Sequence, residues 1–282
     1  MTRTRISLVL AAAVAAFLAP VPAQAAPDST VDVVVAAGGF GAPDAVRPGG
    51  VVLRVSTSDP EGAWVGLVRL RSGVSLDTYL ADLTTAFADG PDAGAAARRV
   101  ERDVVAHGGL AVLSGRSAES SQNLAPGTYH LIDYKEVGRP GLAAKVHELR
   151  VSGRWSGPAT SASAQVVMYS TVDGTRFAAP ASLGAGEPLR VTNLSRQLNE
   201  AILMPLRDGL DAEDVREWFG DMGGAYPFTG GPSGMVVLSP GLTRVVDLDL
   251  PAGRYALVSW AHDYETGEFH TARGMAAVVE IG

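Results

Sequence analysis

Short apolar runs separated by turn residues set the character of this chain. Val31-Asp32-Val33-Val34-Val35 predicts a first strand, and a Pro48-Gly49-Gly50 turn leads to further strands at 51–55 and 64–70. The period then changes. Leu76, Tyr79, Leu80 and Leu83 form the stripe of a helix beginning near Ser75. Strands return at 110–114 and 146–151, and the turn Ala125-Pro126-Gly127-Thr128-Tyr129 opens another between them.

The same order recurs in the second half. Leu53-Arg54-Val55, followed by Leu67, Leu70, Arg71 and Gly73, is matched without a gap by Leu189-Arg190-Val191, Leu203, Leu206, Arg207 and Gly209. Around this match the copy predicts strands at 166–169, 189–191, 201–206, 235–239 and 276–281, with Pro251-Ala252-Gly253-Arg254-Tyr255 as the second Pro-Gly-Tyr turn. Its helix begins at Asp211 and carries Val215, Trp218 and Phe219 on one side, with first-turn acids at 213 and 214. Pro205 is expected to place its strand at an edge or bulge. Such self-similarity signifies two copies of one domain. Seven or eight short strands per copy, with frequent turns and one short helical insertion, predict an all-β chain of two tandem Greek-key β-sandwich domains. The expected boundaries are 26–152 and 165–282, joined by a Ser-, Gly-, Ala- and Pro-rich linker at 153–164.

Residues 1–25 have the pattern of an export signal: Arg3 and Arg5, an apolar run from Ile6 to Leu18, and Ala23-Gln24-Ala25 as a small-residue cleavage site. The expected mature protein is secreted, with no membrane span once the signal is removed. The formal net charge of -7 argues against nucleic acid, whose phosphates require a basic footprint. The chain has no cysteine, which removes thiolate nucleophiles, zinc–thiolate sites and iron–sulfur clusters.

Candidate chemistry gathers near the end of the second copy, where Ser259-Trp260-Ala261-His262-Asp263 leads to His270 and then Gly274-Met275 before the last strand. A turn after a Pro-Gly-Tyr strand, with a His and then Gly-Met ahead of the closing strand, resembles the copper loop of cupredoxins. The resemblance covers both copies in outline and the motif only in the second. It implies His270 as the loop ligand and Met275 as the axial thioether. Ser259 stands where the family has its cysteine, and Asn199 stands near the place of the upstream histidine. With two of four ligands absent, a blue-copper centre is excluded, since the thiolate sets its geometry and potential. One imidazole, one thioether and His262 remain, a set that holds copper weakly at most. The first copy is more degenerate: Ala63 aligns with Asn199 and Asp133 with Ser259, and His147 comes too late to serve as the loop ligand.

Plainer roles compete with these. A Met opening an apolar strand fills a core gap more often than it binds metal, and a loop His serves in surface hydrogen bonding about as often as in ligation. Asp263, Glu265 and Glu268 crowd the same loop and add a weak attraction for cations. Ser259, His262 and Asp263 have the residue types of a hydrolase triad without a nucleophile elbow. Asp247 and Asp249 share a strand face, and Arg98 to Asp103 is a mixed-sign exposed run. Trp218, Phe219, Tyr226 and Phe228 are expected to form core and lid around the helix. The expectation is a non-enzymatic, cupredoxin-like binding protein with decayed copper sites and no cofactor, acting on an extracellular partner that leaves no mark in the sequence; the alternative is weak copper storage or delivery.

Overall fold

The computed structural model describes residues 29–36, 39–88 and 90–282; the expected export signal at 1–25 lies outside them. The first half contains β1 (Ser29–Ala36), β2 (Gly39–Gly41), β3 (Ala45–Val46), β4 (Gly49–Thr57), β5 (Ala63–Leu70), α1 (Leu76–Phe87), α2 (Ala93–Asp103), β6 (Val104–Val112), β7 (Ser117–Leu124), β8 (Gly127–Asp133) and β9 (His147–Val151). The second contains β10 (Ala164–Thr171), β11 (Gly174–Ala178), β12 (Ser182–Leu183), β13 (Leu189–Leu194), β14 (Asn199–Pro205), α3 (Ala212–Asp221), β15 (Ser233–Leu238), β16 (Thr243–Leu248), β17 (Gly253–Val258) and β18 (Ala276–Ile281). The strands correspond in order, β1 with β10 through β9 with β18. The all-β reading and the duplication therefore stand, with one difference: the first half has two helices. The mixed-sign run at 98–103 belongs to the second of them, which turns Ala96 and Val100 inward and ties Arg99 to Asp82 of α1 at 2.7 Å.

Both sheets run unbroken from one half into the other. One has the order β11-β10-β13-β16-β7-β4-β1-β2, the other β12-β18-β17-β14-β15-β6-β5-β8-β9-β3. Each reads as a palindrome of equivalent strands, so a pseudo-two-fold axis passes between β7 and β16 and between β6 and β15. In the first joint Ser120 pairs with Val246, flanked by Ser121 with Val245 and Glu119 with Asp247. Ser120 and Val246 lie equally far before the turn tyrosines Tyr129 and Tyr255, which makes the contact isologous within a single chain. The joint pairs the edges that each half would otherwise expose. The remaining edges are the short strands β2, β3, β11 and β12, a form that limits edge-to-edge association.

One apolar core lies between the sheets and draws on both halves, including Leu53, Val55, Leu189 and Val191 of the repeated Leu-Arg-Val strands. A second covers the outer face of the ten-stranded sheet beneath the helices. Arg244 of β16 bridges the sheets at the joint, donating from Nε to the His107 carbonyl at 2.6 Å and from Nη2 to His107 Nδ1 at 2.8 Å. Burial lowers its pKa to about 10. Each Pro-Gly-Tyr turn is fixed by its tyrosine: Tyr129 donates to the Ala125 carbonyl and Tyr255 to the Pro251 carbonyl, both at 2.9 Å. The segment at 153–164 is tied to the first half, through Gly50 N–H to the Gly157 carbonyl at 2.6 Å and Ala159 N–H to Asn123 Oδ1 at 2.9 Å.

The strand carrying Pro205 departs from expectation. β14 lies inside its sheet, between β17 and β15. Pro205 is its last residue and pairs with Tyr255 on one side, while pairing with β15 ends at Leu203 and Ser233. The missing N–H falls where no neighbour needs it. Helix starts follow local chemistry. Ser75 Oγ accepts the Thr78 N–H at 3.1 Å, and Asp211 with Asp214 forms a capping box on α3.

Candidate functional site

The residues singled out in the second half meet at one end of its sandwich. Asn199 opens β14, Ser259 follows β17, and His270 and Met275 precede β18; all four are buried. Ser259 Oγ donates to Asn199 Oδ1 at 3.4 Å and accepts the N–H groups of Glu200 at 3.3 Å and Ala261 at 3.4 Å. Asn199 Nδ2 donates to Ser195 Oγ at 2.9 Å, which in turn donates to Asn193 Oδ1 at 2.6 Å. Thr271 closes the loop: its hydroxyl accepts the Ser259 N–H at 2.9 Å and donates to the Ser259 carbonyl at 2.7 Å. The Met275 N–H reaches the His270 carbonyl at 2.9 Å. His262 stacks on Phe269, ring centroids 4.0 Å apart.

This donor set does not fit a blue-copper ion. Hydroxyl and amide replace thiolate and imidazole, and both are already engaged with each other and with backbone. Among the described residues no group of three or more His, Cys, Asp or Glu is placed to hold a metal ion. His270 stands outside the satisfied network: neither ring nitrogen has a hydrogen-bond partner, and burial lowers its pKa to about 4. The acidic loop is internally paired. Asp263 accepts from Gln197 at 3.1 Å and lies 3.5 Å from Arg273, which also binds Glu268 at 2.8 Å. Asp247 and Asp249 are exposed, the latter 3.1 Å from Arg116.

Beside this corner lies a feature with no sequence motif. A cavity of about 510 Å³ opens on the outer face of the ten-stranded sheet, at the seam between the halves, and is lined by residues of α1, α2, β14 and the loop after β17. Glu200, 4% exposed, lines it from the sheet and accepts the Trp260 N–H at 3.0 Å. Glu101 lines it from α2 and accepts the Leu198 N–H. Burial raises both carboxyls to about 7. Tyr79 and Tyr134 hydrogen-bond one another in the same wall, and burial raises both phenols. The aromatic cluster expected around α3 is present: Trp218 meets Phe219, Tyr226 and Phe228 edge to face, and Trp260 and Phe269 join it through Phe219. A signal for Glu200 existed in the repeat itself. Its equivalent in the first half is Trp64, which also lines the cavity.

No protein-family profile matches the sequence, and neither does any curated protein. Solved structures overlap it at low similarity. They include auracyanin from Roseiflexus castenholzii (15% identity, 43% of this chain and 99% of that one, TM-score 0.26). A purple cupredoxin from Nitrosopumilus maritimus overlaps at 10% identity, over 43% of this chain and 100% of that one, with a TM-score of 0.25. A copper-containing nitrite reductase from Thermus scotoductus overlaps at 13% identity, over 90% of this chain and 61% of that one, also with a TM-score of 0.25. The duplicated two-sheet sandwich is read from the strand order of the chain itself.

Proposed function

We propose that this chain is an exported, non-enzymatic, cupredoxin-like binding protein in which the metal-holding end of the sandwich has become a structural corner. The observation that carries this reading is Ser259. At the position of the family's cysteine its hydroxyl is spent on Asn199 and on two backbone N–H groups. Those bonds also engage the serine of the triad-like Ser259, His262 and Asp263, while Asp263 is held by Gln197 and Arg273. The test is titration of the purified protein with Cu(II) and Cu(I) against a competing chelator. No stoichiometric uptake is expected, and sub-micromolar, one-to-one binding overturns the reading.

A second reading has one observation in its favour, the two unpartnered ring nitrogens of His270. It assigns weak copper binding to His270 and Met275 with His262. His270→Ala and Met275→Ala then abolish whatever uptake is measured, and unchanged uptake rejects the assignment.

A further inference from the structure

The seam cavity has the size of a small-molecule site, where volumes of roughly 300–1,000 Å³ are usual. Its volume is about 510 Å³, and its walls are mainly apolar, with the aromatic rings of Trp64, Tyr79, Tyr134, Tyr226, Trp260 and Phe269 among them. At the rim Phe87 is 57% and Tyr226 41% exposed, which leaves an apolar entrance open to solvent. Of the ionisable side chains lining it, Glu200 and Glu101 make no ion pair among the described residues; Glu200 accepts the Trp260 N–H and Glu101 the Leu198 N–H. Lys135 turns to the Gly62 carbonyl at 2.7 Å and to Asp59 at 3.5 Å, and His262 stacks on Phe269.

We propose that this cavity binds a small organic amine, its apolar body held among the aromatic rings and its ammonium group against Glu200, with Glu101 on the approach from α2. The inference rests on the non-metal binding role above and names its ligand class. Aromatic faces attract a cation as well as an apolar surface. A carboxyl group buried among such rings resists ionisation, and an adjacent ammonium offsets that resistance by direct charge pairing. An anion of the same shape meets two acidic groups. A neutral molecule of the same shape leaves Glu200 unpaired.

Calorimetric titration of the intact protein with three probes of one shape tests this: 1-naphthylmethylamine, 1-naphthylmethanol and 1-naphthylacetate. The amine is expected to bind one per chain, at least ten-fold tighter than either analogue. Glu200→Gln should weaken it at least ten-fold, and Glu101→Gln by less. Equal or tighter binding of the alcohol or the acetate overturns the proposal, as does an amine titration without binding. Should Glu200→Gln fail to fold, Ala97→Trp fills the cavity from α2; retained amine affinity in that variant also overturns the assignment. Copper uptake in a parallel titration would strike the structural-corner reading and leave the amine result standing. Absent amine binding without copper uptake strikes the cavity alone.

Discussion

Asp133 and Ser259 stand at equivalent corners of the two halves, and each accepts two backbone N–H groups at equivalent positions. Asp133 Oδ1 takes those of Trp64 at 3.2 Å and Lys135 at 3.1 Å; Ser259 Oγ takes those of Glu200 at 3.3 Å and Ala261 at 3.4 Å. The corner is thus a backbone-satisfying device in both halves. Removing one side chain strands two donors, at a cost of about 1–3 kcal/mol. The longer bonds of the neutral Ser259 put Ser259→Ala at the low end and Asp133→Ala at the high end. Asp133→Ser should recover most of the loss, since serine already does this in the second half. Urea unfolding with an unchanged m-value is the check, and a Ser259→Ala change within about 0.5 kcal/mol rejects the role.

Stability should respond to pH through two opposing sets of buried groups. Burial raises Glu101 and Glu200 from 4.5 to about 7, so the stability they contribute is complete below 4.5 and is lost as pH rises through 7. Burial lowers His270 from 6.5 to about 4 and His107 to about 3, so theirs is complete above 6.5 and is lost as pH falls through those values. The slopes oppose one another between 4.5 and 6.5. Melting temperature is therefore expected to vary little across that window and to decline from 6.5 toward 8. Glu101→Gln with Glu200→Gln should flatten the upper limb and uncover a decline below 6.5. Identical profiles for the two proteins would show that the carboxyls titrate normally.

The strands, the repeat and the turn tyrosines were legible because each is a local pattern. The joining of the halves was not. An apolar strand such as β15 has the same alternation whether its neighbour is β14 or β6 of the other copy, and it pairs with both. Pro205 suggested an edge because position within a strand, on which a proline's cost depends, is invisible until pairing is known. Glu101 was hidden in a charged run, yet it lies next to buried Val100 on a helix that turns both toward the seam. Glu200 was masked by the apolar strand around it. The corner was the most readable part of the site, since the repeat aligns Asp133 with Ser259 directly.

Met222 is the one non-glycine with a left-handed backbone among the described residues, at φ 52°, where it ends α3. An L side chain at such a cap costs about 1–2 kcal/mol relative to a relaxed backbone. Met222 is 46% exposed, so its removal forfeits little packing. Met222→Gly is expected to raise stability by about 1 kcal/mol in a thermal melt, glycine being the usual residue there. Met222→Ala keeps the strain and should give no gain; equal gains from both would assign the effect to the side chain.

Gly109 and Gly234 mark the tightest approaches in the two halves. Their φ values are 149° and 143°, and a Cβ there would lie 2.0 Å from the Val65 carbonyl oxygen and 2.4 Å from that of Ala201. Both obstructions are backbone, so neither can swing aside, and both strands belong to the joint. Gly109→Ala and Gly234→Ala are each expected to cost more than about 3 kcal/mol, whereas Gly220→Ala, in open space on α3, should stabilise by about 0.5–1 kcal/mol. Location matters as much as size. Because β6 pairs with β15 and β7 with β16, damage in one half is carried to the other through both sheets. Calorimetry should show one cooperative transition in the parent, displaced as a whole in either alanine variant. A parent that melts in two steps, or a Gly109→Ala protein in which only part of the transition moves, would mean that the halves are stable apart and that the continuous sheets contribute little to holding them.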